Sequence, residues 1–434
     1  MQVLDLSTKP RVKGAKHWFQ EINQLYHPTG EIEQDSQEIV YSFDNLNTTK
    51  FVPILLKEWF YLVKKDGYLV IDYLPNKTCN PQKLEQQMWW LWLGRYDIIY
   101  HGQIEVTSKQ SLLSNSNKKQ VTSEQLLKFV KSVPIQPDPS KEDGSYFRIV
   151  CKKLESTKIA GDDVNKWTFG MITKGERNEW IEEIIQAIHK QKIPNYEIVV
   201  AGAYFDRKEK NFTYIPFKER EFKPGGWKGW ITKQKNVIVR AAKYENLCIM
   251  HDRIVLDDNW FKGVKKYGNT FELMCVKQTL RGTAIRSGDW ITYGSNTLDL
   301  PYNIAKLDYK DWDEQIYVGG MLTILKKSIA KECPWSEIRY WGEEDVELTF
   351  RQRDRGYLAR FNPYSSIEAL SWRFGELPSK YYLSQGLLPK DMLLRRFMRQ
   401  LNKLIFSVPI LMEATSPLVV MFIKSRLYRF LTSH

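Results

Sequence analysis

Two apolar segments separated by one amphipathic helix constrain the fold more than any other feature of this sequence. The segments are residues 167–172 and 197–202. Residues 178–191 between them carry apolar side chains at helical spacing: Trp180, Ile181, Ile184, Ile185 and Ile188. This order predicts a β-α-β unit with two strands in one α/β sheet. Because open α/β sheets bind ligands at the carboxyl ends of their strands, we expect a binding site there.

The chain is long enough for two or three domains, and it is basic. It has 434 residues, of which 43% are hydrophobic, and this proportion excludes a largely disordered chain. The net charge of +13 favours an anionic partner: a nucleic acid, a phosphate-bearing substrate or an acidic membrane surface. A soluble basic protein without such a partner has the same balance. Basic residues do not alternate with stacking aromatics in a recognised module, so we expect no nucleic-acid partner.

The cysteines and the N-terminus both favour a cytoplasmic protein. The five cysteines are widely spaced and odd in number, and none lies in a zinc-binding pattern: Cys79, Cys151, Cys248, Cys275 and Cys333. We therefore expect reduced, buried thiols. The N-terminal residues include Asp5 and Lys9 and lack a long apolar run, so no signal peptide is predicted.

Residues 1–153 are expected to form a separate α/β domain. Apolar segments predict five strands, at 3–6, 38–43, 68–71, 96–100 and 146–151. Helices are predicted around 51–63 and 81–93, and a turn at 64–67. This alternation favours a sheet of mostly parallel strands. The polar residues 154–166 are interpreted as a linker.

Four segments of this first domain carry a likeness to a known family. They are IVYSFDNLN, LLKEWFYLVKKDGYLVIDY and the later pair YDIIYHGQI and YFRIVCKK. They resemble the second half of a class I SAM-dependent methyltransferase. In that family a glycine-rich turn after the first strand approaches the cofactor, whereas VLDLSTKPRVKG has only Gly14 here. The resemblance implies a truncated, Rossmann-like, degenerate domain that does not bind SAM; an active methyltransferase and an unrelated α/β domain are the alternatives.

An aspartate follows a buried apolar segment in the second half of the chain. Residues 247–250 are apolar, and His251, Asp252 and Arg253 follow them. A carboxylate at the end of such a strand could hold a divalent metal that bridges two phosphates. A lone aspartate in this position is more often a cap or turn residue.

A glycine-rich basic segment and an acidic segment are further candidates for a site. PGGWKGWITKQKN, at 224–236, combines glycines with lysines, which suits a diphosphate; a solvated basic loop is an equal alternative. A helix is predicted to follow at about 237–244. Glu344 and Asp345 follow Trp341 and open a predicted helix, where the dipole favours acids. A carboxylate held there could also take a proton from a hydroxyl.

These features occur in an order that is similar to a known family over residues 167 to about 370. The matching segments are FGMITKGERNEWIEEIIQAI, YEIVVAG, KNVIVRAAKYENLCIMHDRIVLDDNW, VGGMLTILKKSI and WGEEDVELTFRQRDRGY. They resemble an inverting, family 2-like GT-A glycosyltransferase of the kind that makes surface polysaccharides and O-glycans. The resemblance implies a Rossmann-like, mixed-sheet GT-A domain over 167–375. It implies transfer of a sugar, with inversion, from a nucleotide-diphosphate donor to a glycan or lipid-linked acceptor. A non-catalytic scaffold of polysaccharide assembly is the alternative.

The resemblance also implies donor-binding roles. Thr173 and Glu176 would lie near the nucleotide base, and Lys235 and Asn236 near the ribose or phosphates. Gly319 and Gly320 would let the backbone approach the sugar. Asp252 would bind the divalent cation, Mn²⁺ or Mg²⁺, although Arg253 could itself neutralise a phosphate and make the metal optional.

The acceptor would bind at the acidic segment. By the same resemblance Glu344, with Trp341 beside it, would hold the acceptor hydroxyls. Asp345 would be the general base that takes the proton of the attacking hydroxyl.

Residues 376–434 are expected to form basic amphipathic helices. Between apolar residues, positions 391–403 carry four cations: Arg395, Arg396, Arg399 and Lys403. Residues 404–423 are apolar but contain Pro409, Glu413 and Pro417, so a spanning helix is not predicted. We expect residues 390–434 to bind the anionic inner face of a membrane, which makes this a peripheral protein. The alternative is packing on the transferase domain or on another subunit, as in a homo-oligomer.

Overall fold

A computed structural model describes most of the chain before residue 372. The described residues are 2–7, 10–18, 32–43, 45–48, 52–76, 79–104, 121–122, 128, 146–203, 207–217, 222–223, 226–227, 230–282, 286–293, 304–309, 312–337 and 344–371. The predicted C-terminal helices over 376–434 therefore lie outside the described residues. Within the part that is described, no helix is long and apolar enough to cross a membrane.

The chain divides into two compact units. Unit 1 comprises the residues up to Ala160 together with Asp354–Tyr357, and unit 2 comprises Gly161–Arg353 and the residues from Leu358 onward. The division between Ala160 and Gly161 falls within the polar residues 154–166. All five cysteines are buried, as expected from their apolar surroundings.

Unit 1 is a mixed α/β structure. Its described strands are β1 (Val3–Asp5), β2 (Val12–Lys13), β3 (Lys16–His17), β4 (Gln37–Phe43), β5 (Val63–Tyr73), β6 (Tyr96–Gln103), β7 (Val121–Thr122) and β8 (Phe147–Lys153). Its described helices are α1 (Asn45–Thr48), α2 (Val52–Leu62) and α3 (Pro81–Trp92). The side chain of Asn80 accepts a hydrogen bond from the Lys83 amide, which fixes the start of α3.

The main sheet of unit 1 has the order β3-β1-β4-β5-β8-β6. Strands β3, β1, β4 and β5 are parallel neighbours, as the alternation of strands and helices predicted. Strand β8 runs antiparallel to both β5 and β6. The mixed α/β class is therefore confirmed, whereas the methyltransferase-like nature of this unit stays a prediction.

The predicted turn at residues 64–67 lies inside strand β5. Val63 pairs with Gln37, and the next paired residue, Tyr68, lies opposite Ile39. Four residues lie between them on β5 and one, Glu38, on β4, so β5 has three extra residues that form an irregularity in the ladder. Asp66 adopts a φ of 63° there. The local signal for a turn was real, but β5 continues beyond it and pairs with β4 in a shifted register.

Unit 2 contains the predicted β-α-β unit at the start of a larger sheet. Its described strands are β9 (Lys166–Thr173), β10 (Asn195–Gly202), β11 (Phe212–Pro216), β12 (Phe222–Lys223), β13 (Gly226–Trp227), β14 (Asn246–His251), β15 (Ile254–Leu256), β16 (Leu273–Leu280), β17 (Ile291–Tyr293), β18 (Ile304–Lys306), β19 (Ile316–Tyr317), β20 (Leu322–Lys326) and β21 (Ala359–Ala369). Its described helices are α4 (Asn178–Lys190), α5 (Trp230–Ala241), α6 (Trp260–Tyr267), α7 (Lys327–Glu332) and α8 (Glu344–Arg353).

The main sheet of unit 2 is mixed. Its order is β11-β10-β9-β14-β20-β16-β21-β15. Strands β11, β10, β9 and β14 are parallel neighbours, which confirms the β-α-β prediction for β9, α4 and β10. Strand β20 runs antiparallel to β14 and β16, and β16 is parallel to β21.

Helix α4 packs on this sheet through the apolar stripe that predicted it. Ile181, Ile184, Ile185 and Ile188 are fully buried in one core with Trp167, Phe169 and Trp260. The Trp167 and Trp260 rings meet edge to face with centroids 5.0 Å apart. Each such buried side chain contributes about 2 kcal/mol of hydrophobic stabilisation. This core fixes the position of β9 and β10, whose ends border the site.

Helix α5 begins at Trp230, seven residues before the predicted start near 237. Lys235 and Asn236 are therefore helical residues rather than members of a basic loop. Both interpretations of this segment, a diphosphate-binding loop and a solvated basic loop, placed it before the helix, whereas Gln234 and Lys235 are fully buried in α5 and Asn236 is 5% exposed. Their side-chain nitrogens donate to distant residues that a local pattern does not contain.

Candidate functional site

Three parallel strands of unit 2 end at one edge of the sheet. Thr173 ends β9, Gly202 ends β10, and Asp252 directly follows the last residue of β14. Gly202 lies opposite Thr173, and His251 lies opposite Ile172. The structure therefore brings Thr173 and Asp252 together, as expected for residues at the carboxyl ends of adjacent parallel strands.

A buried glutamine joins the ends of two of these strands. The Nε2 atom of Gln234, on α5, donates to the carbonyl oxygen of Ala201 at 2.9 Å and to that of Thr173 at 3.3 Å. Gly202 has a φ of 137°, and a Cβ at this position would lie 2.0 Å from the Thr173 carbonyl oxygen. Only glycine fits this close approach of the two strand ends.

Both carboxylate oxygens of Asp252 accept hydrogen bonds. Thr173 Oγ1 donates to Oδ2 at 2.8 Å, and Arg177 Nη1 donates to Oδ1 at 2.9 Å. Thr173 Oγ1 accepts in turn from the Gly175 amide at 3.0 Å, so its proton is directed at Asp252. Asp252 is 6% exposed. The carboxylate is thus oriented by a hydroxyl and neutralised by a guanidinium.

Arg177 is a site residue that the sequence reasoning missed. It directly precedes α4, and its side chain is 31% exposed. Its guanidinium carbon lies 5.1 Å from the centroid of the Trp180 ring, a cation–π distance. An arginine between the end of a predicted strand and the following helix was a usable signal, because that segment borders the ligand-binding edge. Glu176, on the same segment, is exposed.

Lys235 and Asn236 point to different partners. Lys235 Nζ donates to the Gly320 carbonyl oxygen at 3.1 Å and lies 3.8 Å from Glu344 Oε1. Asn236 Nδ2 donates to the Trp335 carbonyl oxygen at 2.8 Å and to Glu337 Oε1 at 2.9 Å. Its Oδ1 accepts from the Trp335 amide at 3.0 Å. Lys235 therefore belongs to the acidic part of the site, and Asn236 holds the segment at Trp335.

Asp345 lies in the first turn of α8 and is held by backbone amides. The Gly320 amide donates to Oδ2 at 2.7 Å, and the Val346 amide donates to Oδ1 at 2.9 Å. Burial and the neighbouring Glu344 charge raise the pKa of Asp345 to about 7, while Lys235 and the two amides oppose this rise. The carboxyl group is therefore poised to change protonation state near neutral pH.

Asp252 and Asp345 are attached to backbone segments that pair directly. The His251 amide donates to the Met321 carbonyl oxygen at 2.9 Å. Asp252 follows His251, and Gly320, which binds Asp345, precedes Met321. The two acids are therefore brought to the same edge of the sheet although 92 residues of sequence lie between them.

Gly320 has little room for a side chain. A Cβ there would lie 3.1 Å from Glu344 Oε1 and 3.2 Å from Asp345 Oδ2, and one at Gly319 would lie 3.1 Å from the Gly288 carbonyl oxygen. Of the two glycines that were predicted to allow a close approach, Gly320 therefore lies against the predicted acids and Gly319 against the Gly288 backbone.

Two further predicted residues contribute less to this geometry. Arg253 is 1% exposed, and its carbonyl oxygen accepts from the Leu370 amide at 2.8 Å. A side chain buried to this degree is badly placed to reach a phosphate from solvent. Trp341, the predicted acceptor-binding residue, lies outside the described residues.

No protein-family model matches the chain, and no curated protein is similar to it in sequence. The fold has similarity to S. aureus TarS. TarS 1–349 is 13% identical with a TM-score of 0.31, over 47% of this chain and 60% of that one. TarS 1–349 in complex with UDP-GlcNAc is 13% identical with a TM-score of 0.32, over 50% and 61%.

The longer TarS structure gives a similar result. It is 13% identical with a TM-score of 0.32, over 48% of this chain and 37% of that one. This chain thus spans about 60% of TarS 1–349 and less of the longer protein. Values this low assign neither a fold family nor an activity.

The residues around Asp252 do not fit a divalent cation held by protein side chains. Among the residues described, no three His, Cys, Asp or Glu side chains form a group that could hold a metal ion. Asp252 is a single carboxylate, and Arg177 already neutralises it. Mn²⁺ and Mg²⁺ prefer several oxygen ligands without a competing cation. We therefore derive no chemical step through a metal.

Unit 1 has its own feature at the predicted cofactor turn. Asp5, at the end of β1, is fully buried, and its carboxylate accepts from the amides of Ser7 at 3.0 Å, Arg11 at 2.5 Å and Val12 at 2.8 Å. The described part of this segment thus directs three backbone N–H groups at its own aspartate. In a nucleotide-binding turn, such groups face the ligand.

Proposed function

We propose that unit 2 is an inverting glycosyltransferase with Asp345 as its general base. It would move a sugar from a nucleotide-diphosphate donor to a hydroxyl of a glycan or lipid-linked acceptor. The observation that carries this proposal is the Gly320–Asp345 hydrogen bond of 2.7 Å. It holds a carboxyl group whose pKa is about 7 at the sheet edge that also bears Asp252 and Arg177.

The proton transfer follows from the environment of Asp345. A general base works best when its pKa lies near the operating pH. Each carboxylate oxygen accepts one backbone N–H and keeps a lone pair for a further proton. Asp345 takes the acceptor's hydroxyl proton as that oxygen bonds to the anomeric carbon. The bond from this carbon to the donor's phosphate oxygen breaks, and its electrons leave with the nucleoside diphosphate. One displacement inverts the anomeric centre.

The remaining residues of the site bind and orient the substrates in this proposal. The side chain of Glu344 is 12% exposed and accepts hydrogen bonds from the hydroxyl groups of the acceptor substrate. The Lys235 ammonium, 3.8 Å from Glu344 Oε1, balances the charge of this carboxylate. Gly319 and Gly320 leave room for the sugar. Thr173 and the exposed Glu176 lie on the donor side of the same edge. The side chain of Asn236 forms three hydrogen bonds with Trp335 and Glu337. It therefore supports the donor site indirectly, by holding the segment that contains these two residues.

A thermal-shift panel of UDP-, GDP- and TDP-sugars tests the binding part of this proposal. A donor present at about 100 times its Kd stabilises the folded state by about 2.7 kcal/mol and raises Tm. We expect at least one donor to do so. If no nucleotide-sugar raises Tm, a scaffold role for unit 2 replaces the proposal.

The Asp345→Asn variant tests the catalytic part. It keeps the shape of the side chain and one oxygen, which can accept from the Gly320 or the Val346 amide, but it removes the base. We expect the donor-induced Tm shift to persist and transfer to fall by about 100-fold or more. Asp258→Asn, the same change at an aspartate whose side chain is 69% exposed, is the matched control and should retain transfer. Full transfer by Asp345→Asn would remove the proposed base.

A further inference from the structure

The ion pair between Arg177 and Asp252 occupies the position where the sequence predicted a metal. Arg177 Nη1 lies 2.9 Å from Asp252 Oδ1, and Thr173 Oγ1 lies 2.8 Å from Oδ2. A cation that bound this carboxylate would have to share it with a guanidinium. The charge that a divalent ion would bring to this edge is thus already present as part of the chain.

The guanidinium of Arg177 is both oriented and accessible. Asp252 accepts from one of its nitrogens, and the Trp180 ring lies 5.1 Å from its carbon. Its side chain is 31% exposed, whereas that of Asp252 is 9% exposed. Arginine has five N–H donors in a planar fork, and one of them satisfies Asp252. The others suit two oxygens of a diphosphate.

We propose that Arg177 binds the diphosphate of the donor in place of a divalent cation, with Asp252 as the residue that positions it. This inference rests on the glycosyltransferase function proposed above. It assigns the anion-binding role to Arg177 rather than to Arg253, whose side chain is 1% exposed. It also makes the transfer independent of Mn²⁺ and Mg²⁺. The leaving diphosphate gains negative charge as the glycosidic bond breaks, and a fixed guanidinium stabilises that charge.

Calorimetric titration with UDP, GDP and TDP, in EDTA and in Mn²⁺, tests this inference. We expect the wild-type protein to bind one of these nucleotides with the same Kd, within about twofold, in both conditions. Arg177→Ala should weaken that binding in EDTA by about tenfold to 100-fold, the value of a charge-assisted hydrogen bond. Arg177→Lys, which keeps the charge but not the fork, should be intermediate.

A metal-rescue measurement separates a binding role from a structural one. In Arg177→Ala the Asp252 carboxylate loses its cation, so Mn²⁺ should restore part of the lost nucleotide affinity. A residue that only supports the fold would not show this rescue. Arg281→Ala is the matched control, because Arg281 also holds exposed carboxylates, Glu368 at 3.1 Å and Glu183 at 2.5 Å. It should bind nucleotide like the wild type.

Two results would overturn the proposed role of Arg177. One of them leaves the proposed glycosyltransferase function standing, and the other contradicts it as well. If nucleotide binds only with Mn²⁺ and Arg177→Ala binds it normally, Arg177 does not replace the metal, while the transferase proposal stands. If neither condition gives nucleotide binding, both proposals fail. If the Tm of Arg177→Ala equals that of Arg281→Ala, the Arg177→Ala protein is folded. If its Tm is lower, the nucleotide affinity of Arg177→Lys is measured instead.

Discussion

The backbone amide of Gly320 donates a 2.7 Å hydrogen bond to Oδ2 of Asp345, 25 positions further along the chain. This bond ties the first turn of α8 to the segment that enters β20. Burial and Glu344 raise the pKa of Asp345 to about 7 in this setting. Several properties of the protein depend on that one contact.

The transfer rate is expected to rise with pH through about 7. Asp345 must be ionised to accept a proton, and its pKa of about 7 sets the midpoint of the acidic limb. The measurement is kcat/KM between pH 5 and pH 9 with a fixed donor. A rate that does not change from pH 6 to pH 8 would contradict Asp345 as the base.

Asp345→Asn is expected to change stability in a pH-dependent way. The folded pKa of about 7 lies above the unfolded value of about 3.9, so the folded state holds its proton more tightly. The stability from this group is complete below pH 4 and is lost as pH rises through 7. Relative to the wild type, the neutral variant should therefore gain about 2 to 3 kcal/mol in free energy of unfolding between pH 5 and pH 8.

Urea unfolding at the two pH values measures that difference. Asp258→Asn, the same change at an exposed carboxylate, is the matched control in these titrations. An Asp345→Asn protein whose stability relative to the wild type is the same at pH 5 and pH 8 would mean that the folded pKa of Asp345 is not raised.

Gly320→Ala is expected to displace both acids. Its Cβ would lie 3.1 Å from Glu344 Oε1 and 3.2 Å from Asp345 Oδ2, so these groups must move by a few tenths of an ångström. We expect kcat to fall on the order of tenfold, since misplacements of this kind weaken catalysis. Gly288→Ala is the matched control, because its Cβ would meet Ile291 at an ordinary 3.7 Å. Equal rates for the two variants would exclude this steric role.

Asp72→Ala is expected to destabilise unit 1 by about 3 to 5 kcal/mol. Arg148 forms a bidentate pair with Asp72 at 2.6 Å for both bonds, and both side chains are buried. Removing the carboxylate takes both of these charge-assisted hydrogen bonds from a buried guanidinium. Glu38→Ala, which breaks a 3.0 Å pair with exposed Lys64, should cost less than about 1 kcal/mol in the same urea titration. Similar costs for both variants would contradict this account of the buried pair.

Titration of the protein with SAM is expected to give no binding heat. The amides of Ser7, Arg11 and Val12 all donate to Asp5, so these donors are not directed at a cofactor. The nucleotide that binds unit 2 serves as the positive control in the same calorimeter. Measurable SAM binding would replace the degenerate interpretation with an active methyltransferase domain.

The sequence predicted those parts of the site that follow a local pattern. The apolar runs that became β9 and β14 placed Thr173 and Asp252 at strand ends, and the acids at the start of α8 fit a helix N-terminus. The roles assigned to Glu344 and Asp345 by resemblance stay predictions. Where the hydrophobic pattern defines a strand, the end of that strand also defines which side chains lie at the ligand-binding edge of the sheet.

The parts that the sequence did not predict depend on distant contacts. Arg177 reaches Asp252 across 75 positions, and Lys235 reaches Gly320 across 85. Lysine is seldom fully buried, so no local pattern predicts the buried, helical position of Lys235. Its burial in α5 becomes favourable only when Gly320 and Glu344 lie beside it, and no short window of sequence contains both.

The glutamine on α5 has a mechanical consequence for the donor side. Gln234 Nε2 joins the Thr173 and Ala201 carbonyl oxygens, and Thr173 Oγ1 in turn holds Asp252. A shift of one strand end is therefore passed through a single amide to the other and onward to the aspartate that orients Arg177. The ends of β9, β10 and β14 are therefore connected through Gln234 and Thr173, and a substitution at Gln234 would weaken that connection without removing a group proposed to contact a substrate.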